Sequence, residues 1–211
     1  MNQYHKTYLV RDHFFSKINT QYKAYIVGML LADGYLNEKR NNISLSLSGE
    51  SDAGLVQKIA DRLFIKKYII HNDNESKRNI RHQDRFKFWL SSKTISNDLK
   101  KMGFTGNKSH SCKFDFSVIP PHLFSHFLRG FFDGDGSVFL TKYNSLNVHF
   151  VGLYNIIEYI QKYLKEKYDI KSGIYPCFST KAVYELRFGN IHNIHNFYKS
   201  VRETFHLCKK F

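Results

Sequence analysis

Two short segments of the sequence share one pattern, an apolar helix with small residues four positions apart and an Asp-Gly pair at its end. Residues 26–34 read Ile-Val-Gly-Met-Leu-Leu-Ala-Asp-Gly, and residues 128–136 read Leu-Arg-Gly-Phe-Phe-Asp-Gly-Asp-Gly. Small residues at this spacing let two helix backbones approach closely. We therefore predict that the two helices pack on each other, with their C-terminal ends together, through Gly28, Ala32, Gly130 and Gly134.

The two predicted helix ends carry the aspartates Asp33 and Asp135. A carboxylate there faces the negative end of the helix dipole at a cost of roughly 0.3–1 kcal/mol, and two adjacent carboxylates also repel. A divalent cation relieves both penalties. Mg²⁺ commonly takes one or two protein carboxylates and completes its shell with water and phosphate oxygens, as in phosphodiester cleavage. The pattern predicts a shared Mg²⁺ site, with the backbone of Gly34 or Ala32 and of Gly134 as further ligands.

Other interpretations of Asp-Gly-Asp-Gly are an ordinary turn and a calcium loop. A single copy favours a turn as much as a site. An EF-hand is excluded because Val138 stands where the loop needs Gly and Asn144 stands where it needs a bidentate Glu. Two copies, each closing an apolar helix and followed by a Gly suited to a left-handed helix stop, favour the shared site.

The hydrophobic periodicity predicts an α+β fold in which both halves repeat the order helix, strand, strand, helix, strand, strand, helix. We predict an N-terminal extension at 1–20, a first half at 21–103, a linker at 104–121 and a second half at 122–211. Helices are expected at 21–33, 51–64 (with Ser51 or Asp52 as N-cap), 93–102, 122–133, through 156–164, and at 190–206. Strands are expected at 43–48, 68–72, 85–90, 137–142, 146–152, 174–178 and 183–188.

Charge limits the partners of the chain. Lys and Arg number 32 against 18 Asp and Glu, which gives a net charge of +14. Such a field attracts a polyanion, usually nucleic acid, although a generally basic protein of the ribosomal kind fits equally well. The longest apolar run, 24–32, is too short to span a bilayer, and charges interrupt residues 1–20 where a signal peptide would need an apolar core. We expect a soluble intracellular protein of a bacterium, a phage-infected cell or an organelle, with three free thiols at Cys112, Cys177 and Cys208.

The paired motifs resemble those of the LAGLIDADG homing endonucleases, of the single-chain type with two motifs, and the resemblance runs from about Gln21 onwards. The second motif keeps the family residues at Leu128, Gly130, Asp133, Asp135 and Gly136, while Arg129 departs at a tolerant position. The first motif has Leu31 where the family often has its first Asp, but its metal-binding carboxylate falls on Asp33.

The resemblance implies two αββαββα halves with helices packed on saddle-shaped antiparallel sheets that lie on double-stranded DNA. It implies a monomer that cuts both strands across the minor groove at a long asymmetric target with Mg²⁺; Mn²⁺ would substitute, and Ca²⁺ would bind without turnover. Family members also place a Lys near the metals. Lys108 and Lys210 stand at matching distances after Asp33 and Asp135, so both are predicted catalytic residues beside the two aspartates.

The strands are predicted to supply the DNA-binding surface, because their alternation turns one set of side chains inward and the other outward. The predicted outward residues are Ser44, Ser46, Ser48, Arg85, Lys87 and Trp89 in the first half, and Lys142, Asn147, His149, Tyr184 and Arg187 in the second.

Other functions remain open at this point. A degenerate relative could be an RNA-splicing maturase acting on intron RNA, or a DNA-binding regulator. An intein is disfavoured because Met1 is not a splicing nucleophile and the end, residues 209–211, lacks His-Asn. The helical pairs His192/His195 and His122/His126 lack the Cys or carboxylate partners of a zinc or HNH site.

Overall fold

The computed structural model describes residues 9–66, 70–73, 84–106, 112–177, 182–202 and 204. The described residues form six α-helices: α1 (Gln21–Asp33), α2 (Glu50–Leu63), α3 (Lys93–Lys101), α4 (Phe124–Asp135), α5 (Tyr154–Tyr168) and α6 (Ile191–Arg202). They also form ten strands: β1 (Leu9–Val10), β2 (Gly34–Asn37), β3 (Asn42–Ser48), β4 (Phe64–Lys66), β5 (His71–Asp73), β6 (Arg85–Ser91), β7 (Gly136–Leu140), β8 (Leu146–Leu153), β9 (Gly173–Pro176) and β10 (Val183–Gly189).

The chain folds into two similar halves. In the first, α1, α2 and α3 accompany an antiparallel sheet with the strand order β2-β3-β6-β5, and in the second, α4, α5 and α6 accompany a sheet with the order β7-β8-β10-β9. The prediction of an α+β fold made of two αββαββα halves is confirmed. The first half also has a small two-stranded sheet of β1 and β4, which the periodicity did not indicate.

Alternation of side chains gives each sheet one buried and one outward face. Ile43, Leu45 and Leu47 of β3 are buried, whereas Ser44 and Ser46 between them are only partly covered. In β8, Val148 and Phe150 are buried in the same way. The helices cover the buried faces, so the outward faces remain available for a ligand.

Helices α1 and α4 contact each other backbone to backbone. A β-carbon on Gly28 would lie 2.1 Å from the carbonyl oxygen of Phe127, and one on Gly130 would lie 2.0 Å from that of Tyr25. Each glycine therefore meets the main chain of the other helix, and neither position has room for a methyl group. This reciprocal contact holds the two halves together.

The same helix pair buries one ion pair. Arg129 Nε donates to Asp133 Oδ1 at 2.9 Å, and Tyr25 of α1 donates its hydroxyl to Asp133 Oδ2 at 2.7 Å. The side chains of Arg129 and Asp133 are 1% and 0% exposed. Arg129, which departs from the family motif at a position predicted to be tolerant, has its guanidinium buried against a carboxylate in this chain. The motif alignment places the apolar Val27 and Leu31 at the corresponding positions of α1.

Several predicted local features differ in the structure. The glycines that follow the two aspartates are extended rather than left-handed, with φ of −71° at Gly34 and −97° at Gly136. Glycine is needed there for space, since a β-carbon would lie 2.5 Å from Leu30 O at Gly34 and 2.0 Å from the Phe132 ring at Gly136.

Helix boundaries also differ from the predicted ones, as at α2 and α4. Helix α2 is capped by Gly49 rather than by Ser51 or Asp52. Helix α4 runs to Asp135, two residues beyond its predicted end at Asp133, and β7 begins at once.

The segments predicted as an extension and a linker pack into the core where they are described. Phe15 and Ile18, before α1, are buried, and Ser16 donates to Asp98 at the end of α3. In the predicted linker, the Phe114 ring stacks on Phe127 of α4 at 5.4 Å. Within the described ranges, no helix combines the length and the apolar character that crossing a membrane requires.

The helix contact predicts opposite effects of one substitution at two helical glycines. Gly130→Ala should lower the free energy of unfolding by about 1–3 kcal/mol, because the new methyl group forces the two backbones apart. Gly54→Ala is the control: Gly54 lies in α2 with no neighbour within 4 Å of an added β-carbon. It should raise stability by about 0.5–1 kcal/mol through helix propensity. Urea unfolding of both variants measures this, and equal effects would contradict the proposed close contact.

The buried ion pair predicts non-additive stability effects. Asp133→Leu, which copies the residue at Leu31, should cost about 3–5 kcal/mol, because it removes the carboxylate beside a buried guanidinium. Adding Arg129→Met should recover much of that loss, since both charges then leave the core together. A double variant no more stable than Asp133→Leu alone would show that the pair does not contribute in this way.

Candidate metal and nucleic-acid site

Two carboxylates lie together where α1 and α4 end. Asp33 is the last residue of α1 and Asp135 the last of α4, and both are partly exposed. A β-carbon on Gly134 would lie 2.4 Å from Ala32 Cβ and 2.8 Å from Asp33 Oδ2. The Asp33 carboxylate is therefore in contact with the end of α4, one residue before Asp135. This proximity results from the backbone contacts of Gly28 and Gly130 earlier in the two helices, because those contacts bring both helix ends to the same point.

An open cleft of about 200 Å³ adjoins Asp135. Leu31 and Ala32 from the end of α1, Phe131 of α4, and Val151 and Val183 from the second sheet contribute to its wall. The wall is mostly apolar, and Asp135 is the one charged side chain among the described residues that line the cleft. A low-polarity surround of this kind favours strong electrostatic interaction with a cation.

The donor set matches a hard divalent cation that keeps solvent or phosphate ligands. Across the described ranges, no group of three or more His, Cys, Asp and Glu side chains could hold a metal by itself. A closed zinc site is therefore not formed there, whereas two carboxylates with room beside them suit Mg²⁺. Backbone oxygens of Ala32, Gly34 and Gly134 lie at the same helix ends. The predicted catalytic Lys108 and Lys210 lie outside the described residues.

The outward face of the first sheet carries the side chains predicted for it. The strand register pairs Ser44 with Trp89, Ser46 with Lys87 and Ser48 with Arg85, all on the face away from the core. On the next strand, β5, His71 pairs with Lys87 and Asp73 pairs with Arg85, so both lie on the same outward face. Lys87 forms an ion pair with Asp73, and the His71 ring stacks on Trp89 at 3.9 Å.

On the second sheet, three of the predicted residues face outward and one does not. Arg187 pairs with His149, and Asn147 lies two residues further along the same face. Lys142 is exposed in the turn between β7 and β8. Tyr184 was assigned to the wrong face: it lies two residues from the buried Leu186, on the same side of β10, and its ring packs edge-on against Tyr154 of α5 at 5.1 Å.

Glu185 is a functional candidate that the sequence did not single out. It accepts hydrogen bonds from Arg187 Nε at 2.6 Å and from Cys177 Sγ at 3.1 Å, on the outward face of the second sheet. The bonds from Cys177 and Arg187 hold the pKa of Glu185 below its usual range. The alternation of β10 alone could have indicated it, because Glu185 shares a face with Arg187.

His149 lies beside this carboxylate, with Nδ1 at 3.8 Å from Glu185 Oε2. Burial, and then the charge of Arg187, lower the pKa of His149, while Glu185 opposes the shift. His149 is therefore mostly neutral at pH 7, and its contact with Glu185 is not a full ion pair there. The stronger charged contact of Glu185 is the one with Arg187.

The fold is shared with solved structures of low sequence identity. The homing endonuclease I-WcaI bound to its DNA recognition sequence superimposes with a TM-score of 0.64 at 14% identity, covering 88% of this chain and 82% of that one. I-SmaMI, bound to an uncleaved DNA target in the presence of calcium ions, gives 0.56 at 12% identity and covers 88% and 85%. Full-length DUF199/WhiA from Thermatoga maritima gives 0.54 at 15% identity, covering 92% of this chain and 60% of that one.

Sequence comparison supports the same relationship. No curated protein sequence matches the chain. The family profile described as a LAGLIDADG-like domain matches residues 20–90 and 125–202, together more than half of the chain. Each matched segment contains one of the two helices that end in Asp33 and Asp135. The chain therefore belongs to the LAGLIDADG-like family, with two copies of the domain in one polypeptide.

Proposed function

We propose that the protein is a site-specific, metal-dependent DNA endonuclease that makes a double-strand break at a long asymmetric target. The observation that carries the proposal is the position of Asp33 against the end of α4, next to Asp135. Each carboxylate ends the first helix of its own half, so one chain brings two equivalent acidic groups to one place. A twofold arrangement of this kind suits the two strands of a duplex.

The charge and the sheet surfaces support a DNA partner. The net charge of +14 favours a polyanion, and Arg85, Lys87 and Arg187 lie on the sheet faces that point away from the helices. A β-ribbon fits the major groove, where such side chains contact bases or phosphates. I-WcaI and I-SmaMI, which share the fold, are each seen with a DNA target.

Asp33 and Asp135 are the residues proposed to hold Mg²⁺, and Mn²⁺ should replace it because both prefer oxygen ligands. When bound, the metal supplies Lewis-acid activation of water and stabilises the leaving oxygen. The two carboxylates hold this position from helix ends, and the open cleft beside Asp135, lined by Leu31 and Phe131, leaves room for the water and phosphate ligands of the metal. Lys108 and Lys210 remain proposed charge-stabilising residues near the same point.

A monomer is sufficient for this reaction, since both halves of the site are in one chain. Intron RNA is the alternative substrate, in which case the protein would act as a splicing maturase. A DNA-binding regulator without cleavage is the other alternative. The pair of retained carboxylates at the helix contact favours the nuclease.

Removing either carboxylate should abolish double-strand cleavage. Asp33→Asn and Asp135→Asn each take one anionic ligand from the metal, so cleavage of a plasmid library in Mg²⁺ should fall at least a hundredfold, while DNA binding in gel-shift assays stays within a fewfold. Chelation of the metal should stop wild-type cleavage. Full cleavage by both variants would exclude these residues as the metal site.

Asp169→Asn is the matched control. Asp169 is likewise an aspartate at a helix C-terminus, since it directly follows α5. Its left-handed backbone, with φ of 52°, accepts asparagine. It lies outside the proposed site, so cleavage should be unchanged. If the wild-type protein binds DNA but cleaves nothing with Mg²⁺ or Mn²⁺, the regulator hypothesis replaces the nuclease, and splicing of intron RNA would identify a maturase.

A further inference from the structure

We propose that Arg187, held by Glu185 and Tyr175, reads a guanine in the major groove under the second sheet, and that Trp89, at the equivalent position of the first sheet, does not. We call Tyr175, Glu185 and Arg187 the guanine-reading cluster. The inference rests on the proposed function, because it assumes that the outward faces bind duplex DNA. It adds a specific base preference at one position of the target.

The guanidinium of Arg187 is fixed in place from two sides. Its Nε and Nη2 both contact Glu185 Oε2, with 2.6 Å for the Nε bond. Its central carbon lies 5.3 Å from the centre of the Tyr175 ring. The side chain of Arg187 nevertheless remains 43% exposed, compared with 20% for Glu185. One edge of the guanidinium is thus occupied and the opposite edge is open.

The open edge has the donors that guanine requires. Arginine has five N–H groups in a planar fork, and the contacts with Glu185 use the Nε side. The Nη1 group and the second Nη2 hydrogen remain, and two parallel N–H donors match guanine O6 and N7. Because Glu185 and Tyr175 already restrict the side chain, less conformational entropy is lost when it binds a base.

A phosphate contact is the competing role for an exposed arginine. A phosphate contact is disfavoured because the Glu185 carboxylate lies beside the Arg187 guanidinium and would repel a phosphate that approaches the same part of the sheet. A carboxylate is compatible with a base edge, where it can also accept from a cytosine amino group. The cluster therefore fits a G·C pair better than the DNA backbone.

The register shows that the first sheet differs at the equivalent positions. The glycine after each aspartate begins the first strand of its sheet, and Gly34 pairs with Leu45 whereas Gly136 pairs with Phe150. Leu45 and Phe150 are therefore equivalent, and so are the residues before them, Ser44 and His149. Their partners on the next strand are Trp89 and Arg187, respectively. By the same register, Lys87 and His71 stand where the second sheet has Glu185 and Tyr175. The stacked His71 and Trp89 rings and a lysine therefore replace the buttressed arginine, so this guanine preference should be absent at the equivalent position of the other half-site.

The test is selection of bound duplexes from a randomised double-stranded DNA library, followed by affinity measurements on the selected duplex with each base substituted in turn. The first variant, Arg187→Lys, keeps the positive charge but loses the planar guanidinium. The second, Glu185→Gln, removes the negative charge that holds the Arg187 guanidinium in place. Lys142→Ala is the control, because Lys142 is an exposed cation in the turn of the same sheet, outside the cluster.

Wild-type protein should require guanine at one position of one half-site. Arg187→Lys should reduce discrimination at that position by roughly ten- to hundredfold and leave the other preferences intact. Glu185→Gln should reduce it severalfold. Lys142→Ala should weaken all sequences equally and leave the profile unchanged.

Two results would overturn the inference: an unchanged base profile in Arg187→Lys, or a uniform loss of affinity, which would make Arg187 a phosphate contact. Absence of any DNA binding by the wild-type protein would instead refute the proposed function. The two failures are therefore distinguishable in the same experiment.

Discussion

The backbone contact between α1 and α4 is the constraint on which the rest of the structure depends. Gly28 and Gly130 each face the main chain of the other helix at a distance that admits no side chain. The contact joins the two halves and sets the point at which both helices end. The candidate metal site follows from it, because Asp33 and Asp135 are the residues at those ends. Each strand that begins there, β2 or β7, then carries the chain into its own sheet.

The two halves share a fold but differ in what they bury and what they present. Between the helices, the second half contributes the Arg129–Asp133 ion pair where the first has Val27 and Leu31, so the interface is not chemically symmetric. On the outward faces, Trp89 and Lys87 correspond to Arg187 and Glu185. Two equivalent carboxylates at the helix ends, beside sheet faces that differ between the halves, suit the asymmetric DNA target that we propose.

Much of the fold and of the candidate site was predictable because regular periodicity and paired motifs are local signals. The bounds of α1 and the alternation of β3 follow directly from the apolar pattern. Features that depend on tertiary contacts were not predictable. The burial of Arg129 depends on the packing of α4 against α1, where Tyr25 donates to the same carboxylate. The direction of Tyr184, by contrast, could have been assigned correctly, because Tyr184 and Arg187 are three residues apart and cannot share one face of a strand. Glu185 shares a strand face with Arg187, so the alternation of β10 indicates their proximity, but the hydrogen bond that Cys177 donates to Glu185 is visible only in the structure.

The most direct test of the central claim is a crystal structure of the protein with duplex DNA and Mn²⁺, in which anomalous scattering locates the metal. The account predicts metal at about 2.1–2.3 Å from a carboxylate oxygen of both Asp33 and Asp135, between the ends of α1 and α4. A metal bound elsewhere, or helix ends that place the two carboxylates too far apart to share a site on the DNA, would contradict it.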